Sequence, residues 1–277
     1  MPKKPLKKPA KNSKAKRTDW QQVAKWYDDH VGHDGGEFHR EVVLPGVVRL
    51  LGRGDASVSG LRVLDIACGQ GVLCRYLHER GARPTGVDAA AALVDLARQR
   101  SPDDIPFHVG DARAVADAAW LERGAYDAAA CVLAIQNIQP IRPVFEGAAA
   151  ALKPGGSLAI VLMHPAFRGP KECHWGYDAE ADVQFRRVDR YLVPRKSPIV
   201  AHPGDAAASD YTWTFHRPIG AYVKALRQAG LLVDAMDEWT SHKTSEPGPR
   251  AAAENRARKE IPMFLAIRAV KVDLADR

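Results

Sequence analysis

Along the chain the spacing of apolar positions changes several times, and each change marks an element. Trp20, Val23, Ala24, Trp26, Tyr27 and Val31 recur at helical spacing, and residues 42–51 form a second apolar helical segment that stops at Gly52. The glycine-rich run at residues 32–36 between them reads as a turn. These two helices are expected to cap one end of the first strand. From residue 61 strand, glycine turn and helix alternate: strands are predicted at residues 61–67, 83–87, 107–109, 126–135 and 157–163, and helices at 72–80, 89–100, 115–121 and 143–152. Lys153-Pro154-Gly155-Gly156 reads as the turn that closes the last of these helices. Strands separated by helices require a parallel sheet with right-handed crossovers.

Residues 164–217 interrupt the rhythm with a stretch rich in Pro, His, Trp, Tyr and Arg, though Tyr211, Trp213 and Phe215 alternate with Thr212 and Thr214 as in a strand. So long an irregular segment inside a compact domain reads as a binding segment, an inserted lid over residues 166–217. A helix at 219–229, stopped by Gly230, a strand from Leu231, a helix at 251–259 and a strand at 263–270 complete the chain. The fold class is therefore α/β, doubly wound and Rossmann-like. A helical cap occupies residues 18–60, a cofactor-binding core 61–165, the lid 166–217, and C-terminal helix and strands 218–277.

Charge adds a segment to this picture. Residues 1–17 hold eight Lys and Arg and no acid; removing them from the 40 basic residues leaves 32 against 33 Asp and Glu, so the body is near neutral. That tail has no apolar period and is expected to be disordered, a possible tether for nucleic acid. No apolar run is long enough to cross a bilayer, and Met-Pro-Lys-Lys opens the chain where a signal peptide would turn apolar, which points to a cytoplasmic protein. Cys68, Cys74, Cys131 and Cys173 form neither a disulfide framework nor a zinc spacing, so no metal site is predicted.

The chemistry concentrates at strand ends. Val63-Leu64-Asp65-Ile66-Ala67-Cys68-Gly69-Gln70-Gly71 is a buried strand ending in a carboxylate and then a glycine turn that opens a helix. The second strand ends at Asp88, placed to accept from two ribose hydroxyls, and the third leads into Val109-Gly110-Asp111-Ala112-Arg113. The first segment resembles motif I of the class I S-adenosylmethionine-dependent methyltransferases, Asp/Glu-x-Gly-x-Gly-x-Gly, with Ala67 in place of the first glycine, as in members resembling the quinone-biosynthesis group. A nicotinamide dehydrogenase also places glycines after its first strand, but Cys74 occupies its third glycine position and Asp65 would repel a pyrophosphate. The resemblance implies seven strands with the last antiparallel, and S-adenosylmethionine as cofactor. It further implies contacts from Asp65, Ala67, Gly69 and Gly71, ribose binding at Asp88, adenine binding at Asp111 and Ala112, and a cofactor-facing ring at Tyr27 in Ala24-Lys25-Trp26-Tyr27-Asp28.

Methyl transfer needs an aligned acceptor, exclusion of water and, for some oxygen or carbon acceptors, a base. His164, the first residue beyond the fifth strand, is the candidate base. Gln136-Asn137-Ile138-Gln139-Pro140 departs from the Asn/Asp-Pro-Pro-Tyr/Phe of amino-group nucleic-acid methyltransferases, which favours a small-molecule acceptor. An RNA methyltransferase tethered by its tail and a cofactor-binding regulator without chemistry remain open.

Overall fold

The computed structural model describes residues 20–52, 57–169, 172–200 and 211–272; the basic tail lies outside them. Among the described residues, helices α1 (Trp20–Val31) and α2 (Leu44–Leu51) precede β1 (Arg62–Ile66), and α2 follows directly on a π-helical turn, His39–Val43. Then come α3 (Val72–His78), β2 (Arg83–Asp88), α4 (Ala91–Arg100), β3 (Phe107–Val109), β4 (Tyr126–Val132), α5 (Arg142–Ala151) and β5 (Leu152–Met163). Two short hairpins follow, β6 (Cys173–Asp178) with β7 (Val183–Val188), and β8 (Arg195–Val200) with β9 (Tyr211–His216). Last are α6 (Ile219–Gln228), β10 (Leu231–Trp239), α7 (Ala251–Glu260) and β11 (Phe264–Lys271).

The main sheet has seven strands in the order β10-β11-β5-β4-β1-β2-β3. Strands β1 to β5 pair in parallel, and β11 runs antiparallel to both β5 and β10. The expected open, mostly parallel sheet with its final strand antiparallel is therefore present. Its chain order reverses at β1: β2 and β3 extend one way, β4 and β5 the other, and the diverging crossovers leave a crevice beyond the strand ends.

Side-chain alternation gives the two faces different characters. Leu64, Ile66, Leu158, Ile160 and Leu162 bury against Phe145 of α5 and Tyr222 and Leu226 of α6. On the other face Ala128, Ala130, Ala159 and Ala266 leave room for α2 and α3 to lie close, through Val47, Leu50, Leu73 and Leu77. Helix α2 thus covers a face of the sheet. Only α1 sits over the strand ends, packed on Ala90 and Leu93 and joined to α4 by a two-pronged pair between Asp28 and Arg100, Nη2 to Oδ2 being 2.7 Å.

Three further departures have local causes. Strand β5 begins at Leu152, not 157, because Leu152 pairs with Tyr126 and the Lys153–Gly156 segment is absorbed as an irregularity before Ser157 meets Ala128. After β3 the chain makes a 3-10 turn, Ala112–Asp117, since the Asp111 side chain accepts from the Arg113 N–H and tightens it. The segment expected to be irregular instead contains the two hairpins, of which only β9 had been visible in its alternation.

Helix α2 approaches the sheet at Gly46, where an added Cβ would fall inside the Trp239 indole. Gly46→Ala is expected to displace that ring and cost about 1–3 kcal/mol, measured as a lower urea midpoint with an unchanged m-value.

Candidate active site

The bend after β1 is built from left-handed backbone. Ala67, Gly69 and Gly71 have φ of 61°, 56° and 83°. For Ala67 this is an unfavourable conformation, which explains why a glycine suits that position better. Gly69 also lets the Tyr27 ring approach, its Cε1 lying 3.3 Å from where a Cβ would stand. Gly71 plays a packing part: it begins α3 against Phe107 and Ala97 and does not line the crevice.

Asp88 fixes the loop. Its Oδ2 accepts from the Gly69 N–H at 2.9 Å and its Oδ1 from the Ala90 N–H at 2.8 Å. Each oxygen keeps a second lone pair, and burial raises the carboxyl's pKa against the pull of these backbone bonds. Asp111 is held below the usual carboxylate range by Arg113, whose Nε donates to it at 2.9 and 3.1 Å while Nη1 donates to the Gln139 carbonyl at 2.9 Å.

Asp65 lies beneath the crevice, not on its wall. It is 2% exposed, accepts from the Cys74 thiol at 3.5 Å, and burial pushes its pKa up to about 7. Burial, with Asp88 and Asp65 nearby, also raises the Tyr27 hydroxyl.

The crevice measures about 460 Å³. Tyr27, Ala67, Gly69, Asp88, Asp111 and Ala112 line one side, and Lys196, Thr212, Trp213 and Phe215 of the β8–β9 hairpin another. Lys196 Nζ stands 3.7 Å from the Trp213 ring centre and has no carboxylate partner among the described residues. Sequence patterning suggested β9 but gave no reason to single out Lys196, because its neighbours across the hairpin are set by register alone. Leu133, at the exit of β4, has φ of 53°, a second strained backbone position on this wall.

His164 does not reach the crevice. Its Nε2 meets Glu238 Oε1 at 2.7 Å, and its Nδ1 accepts from the Ala166 and Phe167 N–H groups at 3.2 and 3.4 Å. With both nitrogens engaged and the ring 2% exposed, it ties the end of β5 to β10 and is not placed as a base.

A family profile described as a methyltransferase domain matches residues 63–156. A solved S-adenosylmethionine-dependent methyltransferase from Mesorhizobium loti is 27% identical, with a TM-score of 0.62, over 86% of this chain and all of that one. Residues 63–156 are thus similar to a methyltransferase domain, set in a fold shared with an S-adenosylmethionine-dependent methyltransferase. A methyltransferase from Listeria monocytogenes, described as a possible S-adenosylmethionine-dependent one, shares the fold at 22% identity and a TM-score of 0.60, over 83% of this chain and 98% of that one. Among curated relatives, the ubiquinone biosynthesis O-methyltransferase of Xanthomonas axonopodis pv. citri is 33% identical over 109 residues, 38% of this chain. The match spans 44% of that relative's length.

The residues present fit the family's cofactor, S-adenosylmethionine. Asp88 has spare acceptor capacity for paired hydroxyls, glycine at position 69 leaves a cradle that a Cβ would narrow, and the acids beneath and beside the bend suit a cation. Among the described residues no group of His, Cys, Asp and Glu could hold a metal, and no helix is long and apolar enough to cross a membrane.

Two outcomes follow for this methyltransferase. The folded pKa of Asp65 is raised from 3.8 to about 7, so the native state keeps a proton that the unfolded chain loses. Its contribution to stability is complete at low pH and falls as pH rises across that window. Asp65→Asn should flatten the loss of unfolding free energy between pH 4 and 7 in urea titrations and weaken cofactor binding above pH 7. His164→Ala should cost about 1–3 kcal/mol of stability and leave S-adenosylhomocysteine affinity unchanged by calorimetry.

Proposed function

We propose that the protein transfers a methyl group from S-adenosylmethionine to an oxygen of a small planar acceptor. The carrying observation is the two-sided crevice: a glycine bend with Asp88 and Asp111 on one wall, and on the other an aromatic wall bearing Lys196, a cation with no carboxylate partner among the described residues. The likeness to ubiquinone biosynthesis O-methyltransferases supports oxygen as the acceptor atom.

When bound, the cofactor supplies a methyl carbon whose bond to sulfur breaks as a bond to the acceptor oxygen forms. Asp88 holds the ribose through its remaining lone pairs, and Ala67 and Gly69 let the backbone come close. Asp111, with Ala112 beside it, bounds the adenine end, its carboxylate oriented by Arg113. Asp65, ionised once a cation lies above it, stabilises the amino-acid portion. Tyr27 and Trp20 of α1 close the crevice against water.

On the acceptor side Trp213 and Phe215 stack on a ring and hold its oxygen in line with the methyl carbon. The Lys196 ammonium stabilises the oxygen as an anion after its proton has gone to water, so a side-chain base is not needed and the position of His164 is no obstacle. The β8–β9 hairpin is then the part of the inserted segment that acts as the acceptor's wall.

The test uses labelled S-adenosylmethionine with the full chain and a whole-cell extract containing both small molecules and RNA, followed by separation of labelled products. A labelled, alkali-stable ether on a low-molecular-weight acceptor is expected. Cofactor binding without any labelled product would favour the regulator, and label confined to RNA that is lost on deleting residues 1–17 would favour the tethered enzyme. Lys196→Met should lower turnover by roughly tenfold or more and steepen its rise with pH, while cofactor affinity stays unchanged.

A further inference from the structure

Beside the main crevice lies a second chamber of about 220 Å³. The two share Asn137 and Phe215 among their lining residues, so the second chamber lies directly beside the main crevice. The chamber opens at the exit of β4, where the 3-10 turn Ile135–Asn137 meets β9 through a 3.4 Å bond from the Thr214 hydroxyl to the Gln136 carbonyl.

Its polar lining is unusual in two respects. First, among the described residues Arg168 and Arg217 both line it, no Asp or Glu does, and neither arginine has a carboxylate partner. Arg217 is anchored from outside, Nη2 donating to the Ile138 carbonyl at 2.6 Å, and Arg168 lies 5.3 Å from the Trp175 ring centre, which also carries Arg186 at 4.9 Å. Second, buried polar atoms are left without partners there: Arg168 Nε as a donor, Gln136 Oε1 and Asn137 Oδ1 as acceptors. The orientation of Gln136 is set by its Nε2, which donates to the Leu133 carbonyl at 2.7 Å, so its Oε1 is an acceptor by geometry.

Unpaired buried groups are retained where a ligand satisfies them. Two guanidinium groups without an acid suit a planar oxyanion, which accepts two parallel hydrogen bonds from one fork. Leu162, Met163 and Ile199 supply an apolar flank, and the volume admits a carboxylate with a short carbon arm.

We propose that the methyl acceptor carries a carboxylate on a short arm, held in this side chamber by Arg168 and Arg217, while Gln136 and Asn137 accept from a hydroxyl or amine on the same arm. The proposal rests on the methyltransferase reading of the main crevice, because it names the substrate class of that site. It also sets the acceptor apart from a neutral, purely lipophilic phenol, which would leave the buried Arg168 Nε–H without an acceptor.

The experiment titrates the full chain, saturated with S-adenosylhomocysteine, with benzoate, phenylacetate, 3-phenylpropionate and their ring-hydroxylated forms, each beside its primary amide. At least one acid should bind about tenfold or more tightly than its amide, and Arg168→Gln should abolish that preference while Arg168→Lys keeps part of it. S-adenosylhomocysteine affinity, measured on the same samples, should be equal in all three proteins. If no acid outperforms its amide on the native chain, or the preference survives in both Arg168→Gln and Arg217→Gln, the carboxylate assignment is overturned. Absence of S-adenosylhomocysteine binding would instead overturn the reading of the main crevice, so the two failures are told apart.

Discussion

A single carboxylate carries the geometry of the crevice. Asp88 stands at the end of β2 and accepts from a backbone N–H of the bend after β1 and from another at the start of α4. It therefore joins three consecutive pieces of chain at the point where the sheet changes direction. The left-handed residues of the bend, the close approach of Tyr27 and the placement of α1 over α4 all presuppose that junction. Because the bonds run to main-chain groups, they constrain backbone position more than side-chain identity, and a ligand meets a surface already in place.

The charges fall into three unequal groups. Acids gather under and beside the bend, where burial raises the pKa of both Asp65 and Asp88. Lys196 faces them across the crevice, and beyond it Arg168 and Arg217 line a side chamber that, among the described residues, has no Asp or Glu. An electric gradient thus runs from the bend to the chamber, with aromatic rings between its ends. Such a field orders a ligand with opposite charges at its two extremities before any close contact is made.

The parallel core was legible because its rules are local. Strand, glycine bend and helix alternate with fixed periods, and an acid at a strand end announces itself beside the turn that follows. Asp88, Asp111 and Gly69 were named this way, Tyr27 came from the family resemblance, and all four line the crevice. Gly71 and Asp65 were named on the same footing and proved to lie behind it, because adjacency in sequence does not say which side of a bend faces solvent. His164 failed for a related reason: its place after β5 suggested access, but the pairing of that strand with β11 and a contact with Glu238, 74 residues away, bury it. Lys196 was out of reach, and Arg168 and Gln136 stood in segments singled out along the chain without a role, since each gains meaning only from partners on other elements.

The two hairpins hydrogen-bond as strands only within themselves and contribute no strand to the seven-stranded sheet. The wall proposed for the acceptor is therefore a removable panel on a finished frame. Lineages, or protein engineers, can exchange that panel for another hairpin without disturbing the register of any core strand, so chemistry upstream of the sulfur stays constant while the molecule receiving the methyl group changes.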